Sequence, residues 1–443
     1  MAGKSKEGGA DILEGLLNAE RIGVMDGGFA THLEDALHLS TPSPLWSAAL
    51  LDPTCEEAGW KGHDAVRATH RAFLDVGARL IESASYQAST QSFLKSKPPR
   101  TYTAAGAEEL MRQSVTLAHE AIASHSSKQS VETATSKTPL LTLSLGPYGA
   151  MLEGGREYSG DYEGASADAV SLSKKLHTFQ MNRLQAYAEV KDTWEKIDLI
   201  AFETLPRLDE VGEIGRALHD IDVELTSKGQ QHRPPAYFSF VFPENANGEE
   251  TNKPNNDNFL PLPPDMSAAA KRTGADPSQH RTVPALVECV KSLCGQGWPI
   301  LGLGINCTKP HLIQGIVRDL TQAFAQQKTS STFASKSGKP VLFLYPDGGL
   351  TWDGIARCWR SGAPMTADKA TEVNKPHASS LSEEETWARD LFALTQEPGV
   401  LKNVCDSGGT SEAAFDAVWL GGCCKASTGH IASLSRLVYP SQG

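Results

Sequence analysis

Eight short apolar runs, each ending in glycine, asparagine or another polar or small residue, constrain this chain more than any other feature. They span residues 22–26, 80–83, 140–145, 199–203, 236–240, 300–306, 341–345 and 417–420. Helix-period patterns fill most of the intervals. Val66, Thr69, Phe73 and Val76 share one helical face; so do Met111, Val115, Ala118 and Ile122, and then Leu172, Leu176, Phe179 and Tyr187. Ser382 with Glu385 three residues on forms a capping box that opens a helix through Trp387, Leu391 and Leu394. Strands alternating with helices pair in parallel through right-handed crossovers. Eight repeats predict an α/β fold, a (β/α)8 TIM barrel; an open doubly wound sheet is the alternative reading of the same pattern.

Such a barrel takes about 250 residues, so a chain of 443 has room for insertions. Residues 1–20 read as a polar N-terminal extension and 21–440 as one barrel domain. Inserted surface loops are expected near 124–137, rich in Ser, Thr and Lys, near 243–281, dense in Pro, Asn, Asp and Gly, and near 361–381, polar with two prolines. The formal charge of -12, from 53 acidic against 41 basic side chains, argues against nucleic acid or an anionic membrane as partner. No apolar run approaches the roughly 20 residues that span a bilayer, and the polar start lacks the apolar core of a secretory signal. A cytoplasmic protein is therefore expected. There thiols stay reduced, and the eight cysteines read as free thiols or metal ligands rather than cross-links.

Five of those cysteines, Cys55, Cys289, Cys294, Cys358 and Cys405, read as small buried side chains. The other three differ by position. Cys307 follows Gly304-Ile305-Asn306, and Cys423 and Cys424 follow Gly421-Gly422, each at the C-terminal end of a predicted strand. In a barrel that end is the functional face. Neighbours in an extended strand point to opposite sides, so Cys423 and Cys424 can share a metal only where the strand breaks. Gly421-Gly422 would permit the break. Three thiolates with one open position make a catalytic zinc arrangement; the residues alone allow equally three small buried thiols.

Other strand ends carry candidate polar groups. Asp26-Gly27-Gly28 is either a tight turn or a glycine turn that lets a substrate approach backbone N–H groups, with Asp26 facing an ammonium. Glu203, after the fourth run, is either a solvated acid or a second partner for that ammonium. Ser85 sits in a hydroxyl-rich loop after the second run, Asn306 either caps the segment it precedes or belongs to the site, and Tyr345-Pro346-Asp347-Gly348-Gly349 reads as a turn. Their common location at strand ends makes them a constellation.

Taken together, Asp26-Gly27-Gly28, Pro44-Leu45-Trp46-Ser47, Tyr86-Gln87-Ala88-Ser89, Gly146-Pro147-Tyr148-Gly149, Phe202-Glu203-Thr204, Gly304-Ile305-Asn306-Cys307 and Gly421-Gly422-Cys423-Cys424 resemble the homocysteine S-methyltransferase family, from about residue 23 to residue 430. The resemblance implies a (β/α)8 barrel, with Cys307, Cys423 and Cys424 as ligands of Zn2+ that act in catalysis by activating the substrate thiol. It implies homocysteine and a sulfonium methyl donor, S-methylmethionine or S-adenosylmethionine, as partners. Asp26, Gly27, Gly28, Ser85, Glu203 and Asn306 match positions in or near the amino-acid site. Selenocysteine or another small thiol as acceptor, or a structural zinc barrel without activity, are the alternatives. The chain departs from the family pattern in three places: Glu82-Ser83 replaces small hydroxyl residues, Asp347-Gly348 replaces a segment nearer to Asn-Ser, and Lys425 stands where arginine is usual. Tyr86, Tyr148 or Trp46 would offer an aromatic face to a sulfonium.

Overall fold

Each of the eight apolar runs forms a strand, and the strands share one parallel sheet. The computed structural model describes residues 12–40, 45–96, 101–127, 138–152, 155–160, 162, 169–242, 283–325, 332–353, 358–361, 381–402, 404–406 and 409–440. The strands are β1 (Ile22–Val24), β2 (Leu80–Glu82), β3 (Leu140–Leu145), β4 (Leu199–Leu205), β5 (Ala236–Phe240), β6 (Ile300–Asn306), β7 (Val341–Tyr345) and β8 (Ala417–Leu420). Their order is β1-β8-β7-β6-β5-β4-β3-β2, every pair parallel. The seam between β1 and β2 is bridged by Met25 opposite Leu80. There the Asp26 N–H donates to the Leu80 carbonyl at 3.0 Å and the Arg79 N–H to that of Val24 at 2.8 Å. The (β/α)8 barrel is thus nearly closed, and the open-sheet alternative is excluded.

Side-chain alternation sorts the core into two layers. Outward residues such as Ile81, Leu143, Phe202 and Phe238 pack under the helices in one large buried cluster. The expected helical faces lie there: Val66 and Phe73 on helix Gly62–Asp75, and Met111, Val115, Ala118 and Ile122 on helix Ala104–Ser126. The capping box is formed, with Ser382 Oγ accepting from the Glu385 N–H and Glu385 returning to the Ser382 N–H. Inward residues Leu80, Leu140, Leu199, Val341, Ala417 and Trp419 form a second cluster that fills the barrel at the strand starts. Leu13 and Leu16, from the segment before β1, are buried in it. Complete burial of one such leucine contributes about 1.5–3 kcal/mol.

Of the loops expected as insertions, residues 243–281 lie wholly outside the described residues, as do 128–137 and 362–380 of the other two. Residues 124–126 are the last turn of helix Ala104–Ser126. Among the described residues no helix is long and apolar enough to cross a membrane.

Large and small residues alternate across the barrel interior. Tyr237 on β5 and Phe343 on β7 stack at 3.8 Å between ring centroids. They meet across β6, whose Gly304 is in register with both Ser239 and Phe343 and carries no side chain to separate them. Gly302, next to a register shift, lies so close to β7 that a Cβ there would overlap the Val341 carbonyl oxygen. Gly302→Ala therefore forces β6 and β7 apart. Urea denaturation should show a stability loss of about 1–3 kcal/mol or more, the usual cost of overpacking a core; unchanged stability would contradict this packing.

Candidate metal and thiol site

At the C-terminal ends of the strands the three singled-out cysteines come together. The Cys307, Cys423 and Cys424 sulfurs all lie within 4.8 Å of one another. Cys307 and Cys423 are within disulfide-bonding distance and their Cα atoms are 5.4 Å apart. This pairing departs from the expectation of uncrosslinked thiols, and its cause is the convergence itself: both side chains point to one spot. Cys424 is a free, exposed thiol. Thiolates around one tetrahedral zinc, with Zn–S about 2.3 Å, stand about 3.8 Å apart, so side-chain rotation brings all three to a common ion. The donor set is all sulfur, which suits zinc, and among the described residues the cluster contains three ligands, leaving a tetrahedral ion one position.

Two turns build this cluster by interlocking. β8 ends at Leu420, and the chain leaves the sheet at Gly421. The Gly422 N–H donates to the Asp26 carbonyl at 3.0 Å, and the Gly28 N–H donates to the Ala426 carbonyl at 2.9 Å. A Cβ on Gly28 would overlap the Cys423 carbonyl oxygen, and one on Gly422 would overlap the Ala426 Cβ. Glycine was expected at 421 and 422 for conformational freedom. Neither residue has a positive φ; both are needed because another backbone or side chain lies against them. The left-handed conformations fall instead on Cys307, with φ 46°, and Lys425, with φ 60°. The β7 turn supports the pair from the other side. Pro346 O accepts from the Cys423 N–H and the Gly348 N–H donates to Cys424 O, both at 2.7 Å. Asp347 in that turn ion-pairs with Lys309 at 2.9 Å. Lys425 reaches back to Asp35 at 2.8 Å.

On the same strand-end face as the sulfurs lies a group of carboxyls. Asp26 is 3% exposed and Glu203 5% exposed. Asp26 Oδ2 accepts from the Glu82 N–H at 2.9 Å, and the Ser144 hydroxyl donates to Glu203. Burial raises the Asp26 pKa well above the usual carboxylate range, and the neighbouring Glu203 charge adds to it. Burial also raises Glu203, to about 6, against the lowering effect of its hydrogen bonds and of Arg183. Arg183 is itself buried and donates to the carbonyls of Ser85, Tyr86, Ala88 and Gly146, tying the loops after β2 and β3 together.

The remaining predicted residues are turned inward. The Ser85 hydroxyl donates to Ser144 O at 2.7 Å and shares a hydrogen bond with Ser83. The Asn306 side chain accepts from the Thr204 N–H and Ser239 Oγ and donates to Thr204 Oγ1. It thereby holds Thr204 at φ 58°, next to Glu203. Gly27 packs against Ala426 and Phe73. Cys55 is buried, as expected, and burial pushes the Cys289 and Cys294 thiols up to about 11. The side chains of Cys358 and Cys405, and Pro44, lie outside the described residues. Tyr148 packs edge-on against Tyr162 and Phe179. Sequence reading named Glu82 as a departure from the family pattern but not as a site residue; it is half-buried at the end of β2, near these acids.

The interlock makes a specific prediction. Gly28→Ala drives a methyl group into the Cys423 carbonyl and displaces the cysteine turn. Bound metal per chain should fall by at least half, while far-ultraviolet circular dichroism stays that of the parent. Full metal content in this variant would show that the turn does not depend on the contact.

A family model described as homocysteine S-methyltransferase matches residues 23–438. Homocysteine S-methyltransferase 1 of Zea mays is 31% identical over 350 residues, covering 79% of this chain and 84% of that protein. Homocysteine S-methyltransferase 1 of Brassica oleracea var. italica is 30% identical over 353 residues, covering 79% of this chain and 83% of that protein. Among solved structures, the metallated form of the homocysteine methyltransferase MmuM from Escherichia coli aligns with a TM-score of 0.56 at 22% identity, covering 96% of this chain and 99% of that one; this likeness supports the barrel. The extent of the family match and the level of identity make this an enzyme of the methyltransferase class: the chain belongs to the homocysteine S-methyltransferase family.

Proposed function

We propose that this chain transfers a methyl group from a sulfonium donor, S-methylmethionine or S-adenosylmethionine, to the thiol of L-homocysteine, with Cys307, Cys423 and Cys424 as reduced thiolate ligands of one zinc ion. The observation that carries the reading is the convergence of those three sulfurs on the same strand-end face as buried Asp26 and Glu203. Bound zinc would hold the substrate sulfur as a thiolate at neutral pH, where a free thiol with pKa near 8.5 is mostly protonated.

The chain's own groups do the rest. Asp26 and Glu203 hold the substrate ammonium, which places the thiol over the cysteine cluster. Ser144 donates to Glu203 and stabilises its ionised form. Alignment of nucleophilic and electrophilic sulfurs is a proximity effect. The homocysteine sulfur forms a bond to the donor methyl carbon as the bond to the sulfonium breaks. The electron pair leaves with the donor sulfur, giving methionine and a neutral thioether. An anionic site favours the cationic donor.

Purified protein should hold about one zinc per chain, and Cys423→Ser should lose both zinc and methionine formation. Zinc loss with full retention of turnover would sink the assignment. Assay of the zinc-loaded protein with homocysteine and S-methylmethionine, S-adenosylmethionine or betaine in turn identifies the donor, and selenocysteine in place of homocysteine tests the acceptor.

Glu203 also sets a pH dependence. Its pKa of about 6 is the midpoint below which the carboxyl becomes neutral and its attraction for an ammonium is lost. The KM for homocysteine should therefore rise as pH falls below 6, by up to about tenfold per pH unit for a single required ionisation. Its raised pKa acts on stability in the opposite sense. The folded state binds the proton more tightly than the unfolded chain, so this group's contribution falls as pH rises from the ordinary carboxylate value through 6. A KM that is flat from pH 7 to 5 would exclude Glu203 as an ionised contact.

A further inference from the structure

Glu82 is the acid of the barrel mouth for which the proposed reaction has no use. It stands where small hydroxyl residues were expected. The Tyr237 hydroxyl on β5 donates to its Oε1 at 2.8 Å. Its carboxyl faces those of Glu203 and Asp26, and its main-chain N–H donates to Asp26 Oδ2 at 2.9 Å. Where a half-buried carboxyl faces a buried one, like-charge repulsion and burial disfavour ionisation of both, so one of the two tends to keep its proton.

The surroundings decide which group keeps it. Glu203 receives the Ser144 hydroxyl and has the Arg183 guanidinium behind it, and both favour its ionised form. Glu82 has a single neutral donor, Tyr237, and is faced by the Glu203 and Asp26 charges, which favour its neutral form. Tyr345 faces the pair from β7. Thr142, in register with Glu82 on β3 and on the same inward face as Ser144, is fully buried, and among the described residues its hydroxyl has no hydrogen-bond partner, so an unspent polar group lies at the same level of the barrel.

We propose that Glu82 is a positioning residue for the amino-acid substrate: it holds the shared proton and donates it in a hydrogen bond to Glu203, fixing Glu203 as the ionised, oriented partner of the substrate ammonium. This rests on the homocysteine reading above. Glutamine at 82 keeps a neutral donor of nearly the same length, and leucine removes it.

Steady-state kinetics on the zinc-loaded protein should give Glu82→Gln a KM for homocysteine within about threefold of the parent. Glu82→Leu should raise that KM by roughly tenfold or more, the usual effect of losing a hydrogen bond to a charged group, with kcat and zinc content little changed. A purely structural role would lower both variants together through stability. Infrared difference spectroscopy reads the proton directly: one protonated-carboxyl C=O band of the parent should be lost in Glu82→Gln. An unchanged KM in Glu82→Leu, equal impairment of both variants, or a band that survives in Glu82→Gln and vanishes in Glu203→Gln would overturn the proposal. If the parent forms no methionine from homocysteine, the acceptor reading fails, while the infrared comparison still decides whether Glu82 carries the proton.

Discussion

The contact between two turns, one after β1 and one after β8, is what the rest of the site depends on. Its backbone hydrogen bonds are Gly422 to Asp26 and Gly28 to Ala426. Each is an ordinary bond, worth about 1 kcal/mol net. Their consequence is geometric. They fix the Asp26 carboxyl and the Cys423 and Cys424 thiols in one rigid unit, so the distance between them is set by main chain rather than by flexible side chains. The β7 turn then locks the same unit through Pro346 and Gly348.

Much of this was legible in the sequence because strand runs and their ends are local patterns. The runs at 140–145, 236–240, 300–306, 341–345 and 417–420 coincide with β3, β5, β6, β7 and β8. β4 continues two residues past the predicted end, since Leu205 still pairs with Phe240 after Thr204 turns left-handed. Placement at strand ends left the meeting of Cys307 with Cys423 and Cys424 an even choice, and the family resemblance favoured it; the structure brings the three together. What was not legible depends on partners from other strands. Ser85 reads as a free hydroxyl until Ser144 is seen to take it. Asn306 reads as either a cap or a site residue, and its bonds to Thr204 and Ser239 across the sheet are invisible to that reading. The glycine pair at 421–422 was read for backbone freedom, whereas its use is close approach, which only the neighbouring Ala426 and Met25 reveal.

The acids at the mouth show how a barrel tolerates buried charge. Among the described residues no lysine or arginine forms an ion pair with Asp26, Glu82 or Glu203. Hydroxyls, main-chain N–H groups and a set-back guanidinium support them instead. Each has its pKa raised by burial. Such a set of acids favours a cationic ligand, with no built-in ion-pair partner among the described residues to compete for it.

The β1 seam has a bearing on how the molecule is made. β1 is three residues long, and its regular partner is β8, nearly four hundred residues later in the chain. Tyr439 adds to the link, its hydroxyl donating to Leu16 O at 2.8 Å while accepting from the Val24 N–H at 3.2 Å. During synthesis β2 to β7 can therefore assemble with β1 still lacking its β8 neighbour and with a single cysteine, Cys307, of the converging three in place. The edge of β7 stays open until residues 417–420 emerge, the kind of unpaired edge that invites association with other chains. Delivery of Cys423 and Cys424 directly behind β8 means that the strand that shuts the barrel also brings the three cysteines together.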